Sequence, residues 1–250
     1  MNELEMLRND DLVREKQLDN GISSFNYSNK CFYKKQWNEE TIKARGLFID
    51  TSTGNIVARS YNKFFNIEER PETKFNVLKS TFQYPIAAYY KYNGFLALVA
   101  ADKDNPDKLF IASKSTNQGE YAGYIKTIIH NLLPEFDLRC FAHFLHEQNA
   151  TAIFECINIE HDPHIIEYKY DDLIMLDIIY NDYDYHHMDY NSMRNVADTF
   201  GFKSKNVAAT INNWSDFVDF IQCVEDYANM EGFVFEDAAG QMVKYKVPWY

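Results

Sequence analysis

With 250 residues and 46% hydrophobic side chains, the chain is long enough to bury a sizeable core in one or two domains. Lys and Arg number 25 against 37 Asp and Glu, a formal net charge of −12, which argues against broad nonspecific attraction to nucleic acid but leaves room for a local basic groove. No apolar run reaches the length that crosses a bilayer, and residues 1–20 are polar and charged rather than signal-like, so no membrane partner is expected. Cys31, Cys140, Cys156 and Cys223 form no C-x-x-C pair. Free thiols in a reducing cytoplasm are expected.

In chain order, residues 1–20 read as a short polar helix, and residues 1–40 as a lead-in segment. Ala44–Asp50 alternates into a strand, Thr51–Asn55 has hairpin-turn composition, and Ile56–Tyr61 is the return strand. Tyr84–Tyr90 and Phe95–Ala100 read as strands on either side of Lys91-Tyr92-Asn93-Gly94, and Leu109–Lys114 as another. Tyr121–Leu133 has helical spacing, with apolar positions at Tyr121, Tyr124, Ile125, Ile128 and Ile129. Leu138–Gln148 reads as a second helix, and strands follow at Thr151–Ile157 and Leu173–Ile179. Asn213–Asn229 is the clearest helix: Asn213 is placed to cap it, and Trp214, Phe217, Val218, Ile221, Val224 and Tyr227 make one apolar stripe. Phe233–Phe235 and Met242–Val247 close the chain as strands. Many strands with helices outside them predict an α+β domain with largely antiparallel sheets. No Pro/Gly/Ser-rich linker or repeat interrupts it, so one domain over residues 1–250 is expected.

Six segments stand out as chemistry-bearing. They are Arg45-Gly46, Lys63-Phe64-Phe65-Asn66, Lys91-x-Asn93-Gly94, Ser113-Lys114-Ser115, Phe154-Glu155, and Glu231-Gly232 followed by Lys244-x-Lys246. Lys91 falls at a strand end, Asn93 can bond nearby groups, and Gly94 permits a turn and close approach of a ligand. Lys244 and Lys246, two apart on a strand, face the same side, which is costly unless an anion lies beside them. A triphosphate would supply that anion. The histidine pairs His143/His146 and His161/His164 lack the further spaced ligands of a zinc site, and no P-loop or Rossmann glycine pattern is present.

The order and spacing of these motifs resemble the covalent nucleotidyltransferase superfamily of ligases and capping enzymes. Within it, the match is to the phage-type RNA ligase 1 branch, with the fungal tRNA ligase adenylyltransferase domain close by. Ala44-Arg45-Gly46-Leu47-Phe48, Lys63-Phe64-Phe65-Asn66-Ile67-Glu68-Glu69, Ala112-Ser113-Lys114-Ser115, Glu231-Gly232-Phe233-Val234 and the Val243–Tyr250 ending carry it. Asn93 stands where the phage enzymes usually have aspartate and the tRNA ligases asparagine.

The resemblance implies a nucleotidyltransferase fold and an ATP-dependent RNA ligase in RNA repair or tRNA splicing. Lys91 would attack the α-phosphate of ATP to give lysyl-AMP, the AMP would pass to an RNA 5′-phosphate, and a 3′-hydroxyl would displace it. It implies that Glu155 and Glu231 contact ribose or hold hydrated Mg²⁺ or Mn²⁺. Tyr170–Ile178 would line the nucleoside pocket, and Lys244 and Lys246 would grip the α-phosphate. Arg45 and Lys63 would bind outer phosphates, with Lys114 near the nucleotide or RNA end and Asn93 and Gly94 in the nucleotide site. An end-healing kinase or phosphatase is an expected partner. No C-terminal OB-fold or specificity domain is expected within the sequence. A lysine amine is protonated near neutral pH, and one cation at about 4 Å in an effective dielectric near 20 disfavours that form by roughly 4 kcal/mol. This need explains the lysine-rich motif set. The rival readings are a DNA ligase or capping-type enzyme, or a non-catalytic RNA- or nucleotide-binding module of the same fold.

Overall fold

Apolar runs bounded by turn residues become strands, and runs with three- and four-residue apolar spacing become helices, in the computed structural model, which describes residues 2–250. In chain order the first elements are α1 (Glu3–Asn9), β1 (Val13–Gln17), β2 (Ile22–Tyr27), α2 (Asn29–Lys34), α3 (Glu39–Lys43), β3 (Leu47–Asp50) and β4 (Ile56–Arg59). Next come β5 (Phe65–Asn66), α4 (Phe75–Thr81), β6 (Ile86–Lys91), β7 (Phe95–Ala101), β8 (Leu109–Ser113), α5 (Gly119–Leu132), α6 (Glu135–Gln148) and β9 (Ala150–Ile157). The last are β10 (Asp172–Tyr180), α7 (Tyr190–Phe200), β11 (Lys203–Ser204), β12 (Val207–Ile211), α8 (Trp214–Val224), β13 (Gly232–Glu236) and β14 (Met242–Lys246).

The chain divides into two compact units. One comprises the chain up to Lys63 with Phe95–Cys156 and Asp171–Ser204; the other comprises Phe64–Gly94, Ile157–Tyr170 and Lys205–Tyr250. Each is assembled from three separated stretches, so no linker composition marks the division.

The first unit holds two sheets. In one, β1-β2-β3-β4 are antiparallel neighbours. The segment read as a lead-in is therefore part of the fold: Leu4, Leu7 and Phe25 are buried with Ala44, Leu47, Ile49 and Ile56. β1 escaped notice because Arg14-Glu15-Lys16-Gln17 is exposed along its length, a charged edge strand without apolar alternation. The other sheet has the order β11-β10-β9-β7-β8. It is antiparallel at β7–β8 and β7–β9 and parallel at β10–β11. Ile125, Ile128 and Ile129 of α5 and Phe141 and Leu145 of α6 share its core with Ala97, Val99 and Phe154. Ile125, Ile128 and Ile129 of the stripe expected in α5 are buried, whereas Tyr121 is exposed. α7 had no such reading, although Asp189 caps its start, accepting from Ser192 N, and Gly201 (φ 73°) ends it.

The second unit holds one sheet, β12-β6-β13-β14-β5. Ile86, Ala88, Phe233, Phe235, Val243 and Val247 line one face and pack with Phe217, Ile221 and Val224 of α8. Asn213 caps α8 as expected, accepting from Asp216 N at 3.0 Å. The helix stops at Val224 rather than Asn229, and Tyr227, expected in the apolar stripe, is exposed. The strand alternation then sends Lys91, Lys244 and Lys246 to the opposite face. The fold is α+β with mostly antiparallel sheets, as the sequence predicts.

Candidate active site

In the second unit, register organises the basic residues. Gly232 pairs with Lys91 on one side and with Lys246 on the other. Lys91 and Lys246 therefore stand in one row, two strand spacings or about 10 Å apart at the backbone, with Gly232 between them. Their side chains converge on Glu231, whose carboxylate is buried: Oε2 lies 2.8 Å from Lys91 Nζ and Oε1 lies 3.1 Å from Lys246 Nζ. One carboxylate thus bridges two ammonium groups.

Gly232 makes the row possible. Its φ is +147°, and a Cβ there would fall 1.9 Å from the Tyr245 carbonyl oxygen and 2.9 Å from Lys246 Cα. Only glycine lets β13 lie this close to β14. The Glu-Gly pair is a charge plus the clearance that delivers it.

Asn93 locks the loop after β6. Its Nδ2 donates to Glu231 Oε2 at 3.2 Å and to the Tyr250 hydroxyl at 3.1 Å. Its backbone N–H donates to the Tyr168 hydroxyl at 2.8 Å. Its Oδ1 is buried and has no partner among the described residues, an acceptor suited to a hydroxyl donor. Gly94, at the bend that follows, is half-buried. Lys246 Nζ lies 4.4 Å from the Tyr250 ring centroid, and Lys244 Nζ lies 5.6 Å from that of Phe64. Tyr250 lies in the ending that carries the resemblance and Tyr168 just ahead of the Tyr170–Ile178 stretch, but their contact with Asn93 was not read; their spacing from it, 75 and 157 residues, offers no local signal.

In the first unit, Arg45 precedes β3 and its Nη1 donates to Ser60 Oγ at 2.9 Å. Burial pulls the guanidinium below its ordinary pKa, while Tyr27, Glu155 and other nearby acidic groups oppose the shift. Gly46 adopts φ +62°, and a Cβ there would lie 3.2 Å from Ser60 Cβ and 3.3 Å from the Lys114 carbonyl oxygen. That left-handed residue is why the expected strand from Ala44 starts only at Leu47. Glu155 lies in β9, opposite Leu96 of β7.

Lys114 and Lys63 are each held against an aromatic ring. Lys114 Nζ is 4.6 Å from the Tyr27 ring centroid and 3.3 Å from its hydroxyl. Lys63 Nζ is 5.3 Å from the Trp37 ring. Tyr27 and Trp37 contact each other edge to face at 4.9 Å. This aromatic pair was missed, although Phe25-Asn26-Tyr27 and Phe32-Tyr33 through Trp37 form an aromatic-rich stretch.

Arg59 was also missed. It is 2% exposed, its Nη2 donates to Asn62 Oδ1 at 2.7 Å, and its Nη1 donates to the Asp182 carbonyl. It fastens the Asp182–Tyr185 segment, which had no assigned role. Asp177, within the Tyr170–Ile178 stretch, is buried between the Tyr61 hydroxyl and His187 Nδ1, each at 3.2 Å. Of the other histidines, His143 sits against Asp107 and His164 against Asp162 at 2.7 Å.

A family model described as RNA ligase matches residues 43–250. A tRNA ligase of Candida albicans is 27% identical over 231 residues, which cover 77% of this chain and 26% of that protein. The chain thus spans about a quarter of the length of that relative. Among solved structures, an archaeal ATP-dependent RNA ligase superposes with a TM-score of 0.65 at 14% identity, covering 98% of this chain and 60% of that one. A lysine-to-alanine mutant of the Naegleria gruberi RNA ligase, with ATP and Mn, superposes with a TM-score of 0.55 at 13% identity, covering 72% and 54%. At these identities the two structures share the fold of this chain.

Proposed function

This chain belongs to the RNA ligase family, and from that premise we propose that it carries the adenylyltransferase activity of an ATP-dependent RNA ligase. The observation that carries the reading is the Lys91–Glu231–Lys246 bridge across Gly232. It sets a lysine of nucleophile type beside a second ammonium placed to meet phosphate.

Lys91 Nζ, after losing a proton, would attack the α-phosphorus of ATP. The P–N bond forms as the P–O bond to pyrophosphate breaks. Lys91 thus gives one proton to solvent before attack, which ends its ion pair with Glu231, and a second as the P–N bond forms, leaving a neutral phosphoramidate nitrogen. Oε2 of Glu231 is then left to the Asn93 amide, while Lys246 stays on Oε1. Lys244 and Lys246 would stabilise charge building on the α-phosphate. The unfilled Asn93 Oδ1 fits a nucleoside hydroxyl. By likeness to the family, Arg45, Lys63 and Lys114 would meet outer phosphates or the RNA end, and Glu155 would contact the nucleotide.

One or two carboxylates together with phosphate oxygens suffice for Mg²⁺ or Mn²⁺, which keep several waters. By likeness to the family, Glu231 in the second unit and Glu155 in the first are the carboxylates that would serve such an ion, which would neutralise charge on the leaving pyrophosphate. The activated AMP would pass to an RNA 5′-phosphate for displacement by a 3′-hydroxyl. Those ends must come from a kinase or phosphatase class of reaction where breakage leaves others. Among the described residues no helix is long and apolar enough to cross a membrane. Cys31, Cys140, Cys156 and Cys223 are not joined in disulfides among the described residues, which is compatible with a reducing setting.

The test is incubation with α-phosphorus-labelled ATP or GTP and a divalent cation, followed by denaturing electrophoresis. ATP should label the chain, GTP far less, and Lys91→Ala not at all. Label retained on the Lys91→Ala protein overturns the reading.

A further inference from the structure

We infer that α2 and the residues after it form a docking surface for single-stranded RNA. The inference rests on the reading that this chain acts on RNA, and it names where a strand is held.

Charge is the first observation. Asn29–Trp37 contains Lys30, Lys34 and Lys35 and no acidic residue, in a chain of net charge −12. Lys30 and Lys34 are exposed and lie one helical turn apart, on one side of α2. A polyanion complements such a surface, and each neutralised phosphate releases condensed counterions.

Exposed rings are the second. Phe32 is 49% exposed and Tyr33 is 79% exposed. α2 is held without them: Cys31 is its buried residue, Ser28 Oγ accepts from Cys31 N, and Lys35 closes the helix at φ 53°. Two large rings left in water on a six-residue helix have no packing role that accounts for them.

The third is a graded row of aromatic contacts. Tyr33 meets Phe32 at 5.5 Å between centroids. Phe32 lies near-parallel to Tyr27 at 6.4 Å and 17°, and Tyr27 meets Trp37 at 4.9 Å. The row runs from solvent at Tyr33 to half-buried rings that carry Lys114 and Lys63. Single strands are bound by this combination: bases stack on ring faces while ammonium groups track the backbone. An acidic peptide would satisfy the lysines but supplies no succession of flat faces for the rings. Duplex RNA has its bases already stacked and gives the rings nothing. The surface therefore suits an unpaired strand, with its end directed toward Lys114 and Lys63.

The probe is a 12-nucleotide single-stranded RNA with a 5′-phosphate and a 3′-fluorophore, titrated by anisotropy with the full chain. Phe32→Ala/Tyr33→Ala should weaken binding about tenfold or more, in line with the loss of one or two stacked bases. Tyr33→Trp, which keeps a ring, should bind like the parent, and Tyr33→Leu should not. Lys30→Ala/Lys34→Ala should make the slope of log affinity against log salt shallower by about 1.4, two single-strand phosphate contacts. Labelling of Lys91 by ATP should be unchanged in every variant. Failure of the parent to label would sink the ligase reading, and RNA binding is scored independently of it. The docking inference is overturned if the parent binds no RNA, or if the ring variants bind as tightly as the parent. It is equally overturned if duplex RNA competes as well as single strand. A ring variant that keeps RNA affinity but converts a dimer to a monomer on size exclusion would instead assign the surface to a second copy of this chain.

Discussion

Replacing Gly232 with alanine tests whether strand spacing or merely charge builds the site. The added Cβ would sit 1.9 Å from the Tyr245 carbonyl oxygen, where a carbon–oxygen contact needs about 3.3 Å. β13 and β14 must therefore separate locally by about 1.4 Å. Holding alanine at φ +147° adds about 1–3 kcal/mol of backbone strain. The separation falls where Lys246 reaches Glu231, so the second ammonium moves relative to Lys91. A misplacement of about 1 Å at a reacting centre costs on the order of 100-fold in rate. Single-turnover labelling with α-phosphorus-labelled ATP should slow by about that factor, with far-UV circular dichroism confirming a folded protein. Gly240→Ala is the matched control. Its φ is +81° but nothing lies within 4 Å of the added Cβ, so it carries strain of about 1–2 kcal/mol without displacing a strand. Labelling of the Gly232→Ala protein within about threefold of the parent, or an equal loss in Gly240→Ala, would refute the steric account.

Glu231→Gln keeps the shape of the bridge but leaves Lys91 and Lys246 facing each other across a neutral amide. Labelling should fall by about 100-fold or more with a normal thermal melt, and near-parental labelling would show that the bridge is dispensable. Burial, reinforced by Glu3 and Glu40, pushes the Tyr183 hydroxyl up to about 12 from its ordinary value near 10. The folded state thus favours the protonated phenol, so this contribution to stability is complete below pH 10 and is lost as pH rises through about 12. Tyr183→Phe also removes the hydroxyl's bond to the Gly54 carbonyl at 2.8 Å. It should melt lower at neutral pH and show a shallower decline between pH 10 and 12, read by thermal melts across that range.

The parts legible in the sequence are those in which a periodic pattern coincides with burial. α5 and α8 bury most of the stripes their spacing predicts, with Tyr121 and Tyr227 left exposed, and the strands flanking Lys91 lie where their apolar runs place them. Of the N-terminal sheet, β3 and β4 were legible, but β1 was hidden because Arg14 to Gln17 is charged or polar and exposed. β12 was hidden because Val207–Thr210 is not buried and shows no alternation. Two units could not be read because each draws on three stretches with no linker between them. At the site, the motif residues were legible as chemical types, but their partnership was not. Gly232 looked like a motif letter until register placed it between Lys91 and Lys246. Tyr168, Tyr250, Tyr27 and Trp37 act through tertiary contact, and nothing near them in sequence names their partners.

Those aromatic partners hold several lysines of an acidic chain in place. Lys63 stands over Trp37 and Lys114 over Tyr27 in one unit. In the other, Lys244 stands over Phe64, while Lys246 and Lys205 stand over Tyr250 and Tyr89 and also pair with carboxylates, Glu231 at 3.1 Å and Glu236 at 3.7 Å. A ring face attracts an ammonium group by about 0.5–2 kcal/mol, enough to bias the rotamers of a long side chain. The ring contact itself does not neutralise the charge, so that contact does not oppose an arriving phosphate. A carboxylate partner holds more firmly but must be displaced, or must lose its hold, before an anion gains full benefit. Under the proposed chemistry, a carboxylate partner is useful at Lys91. Its ion pair with Glu231 fixes the side chain in place and dissolves when Lys91 gives up the proton that attack requires. The same carboxylate keeps Lys246 in position through that change, so the group that orients the nucleophile also carries the phosphate-binding lysine across the step.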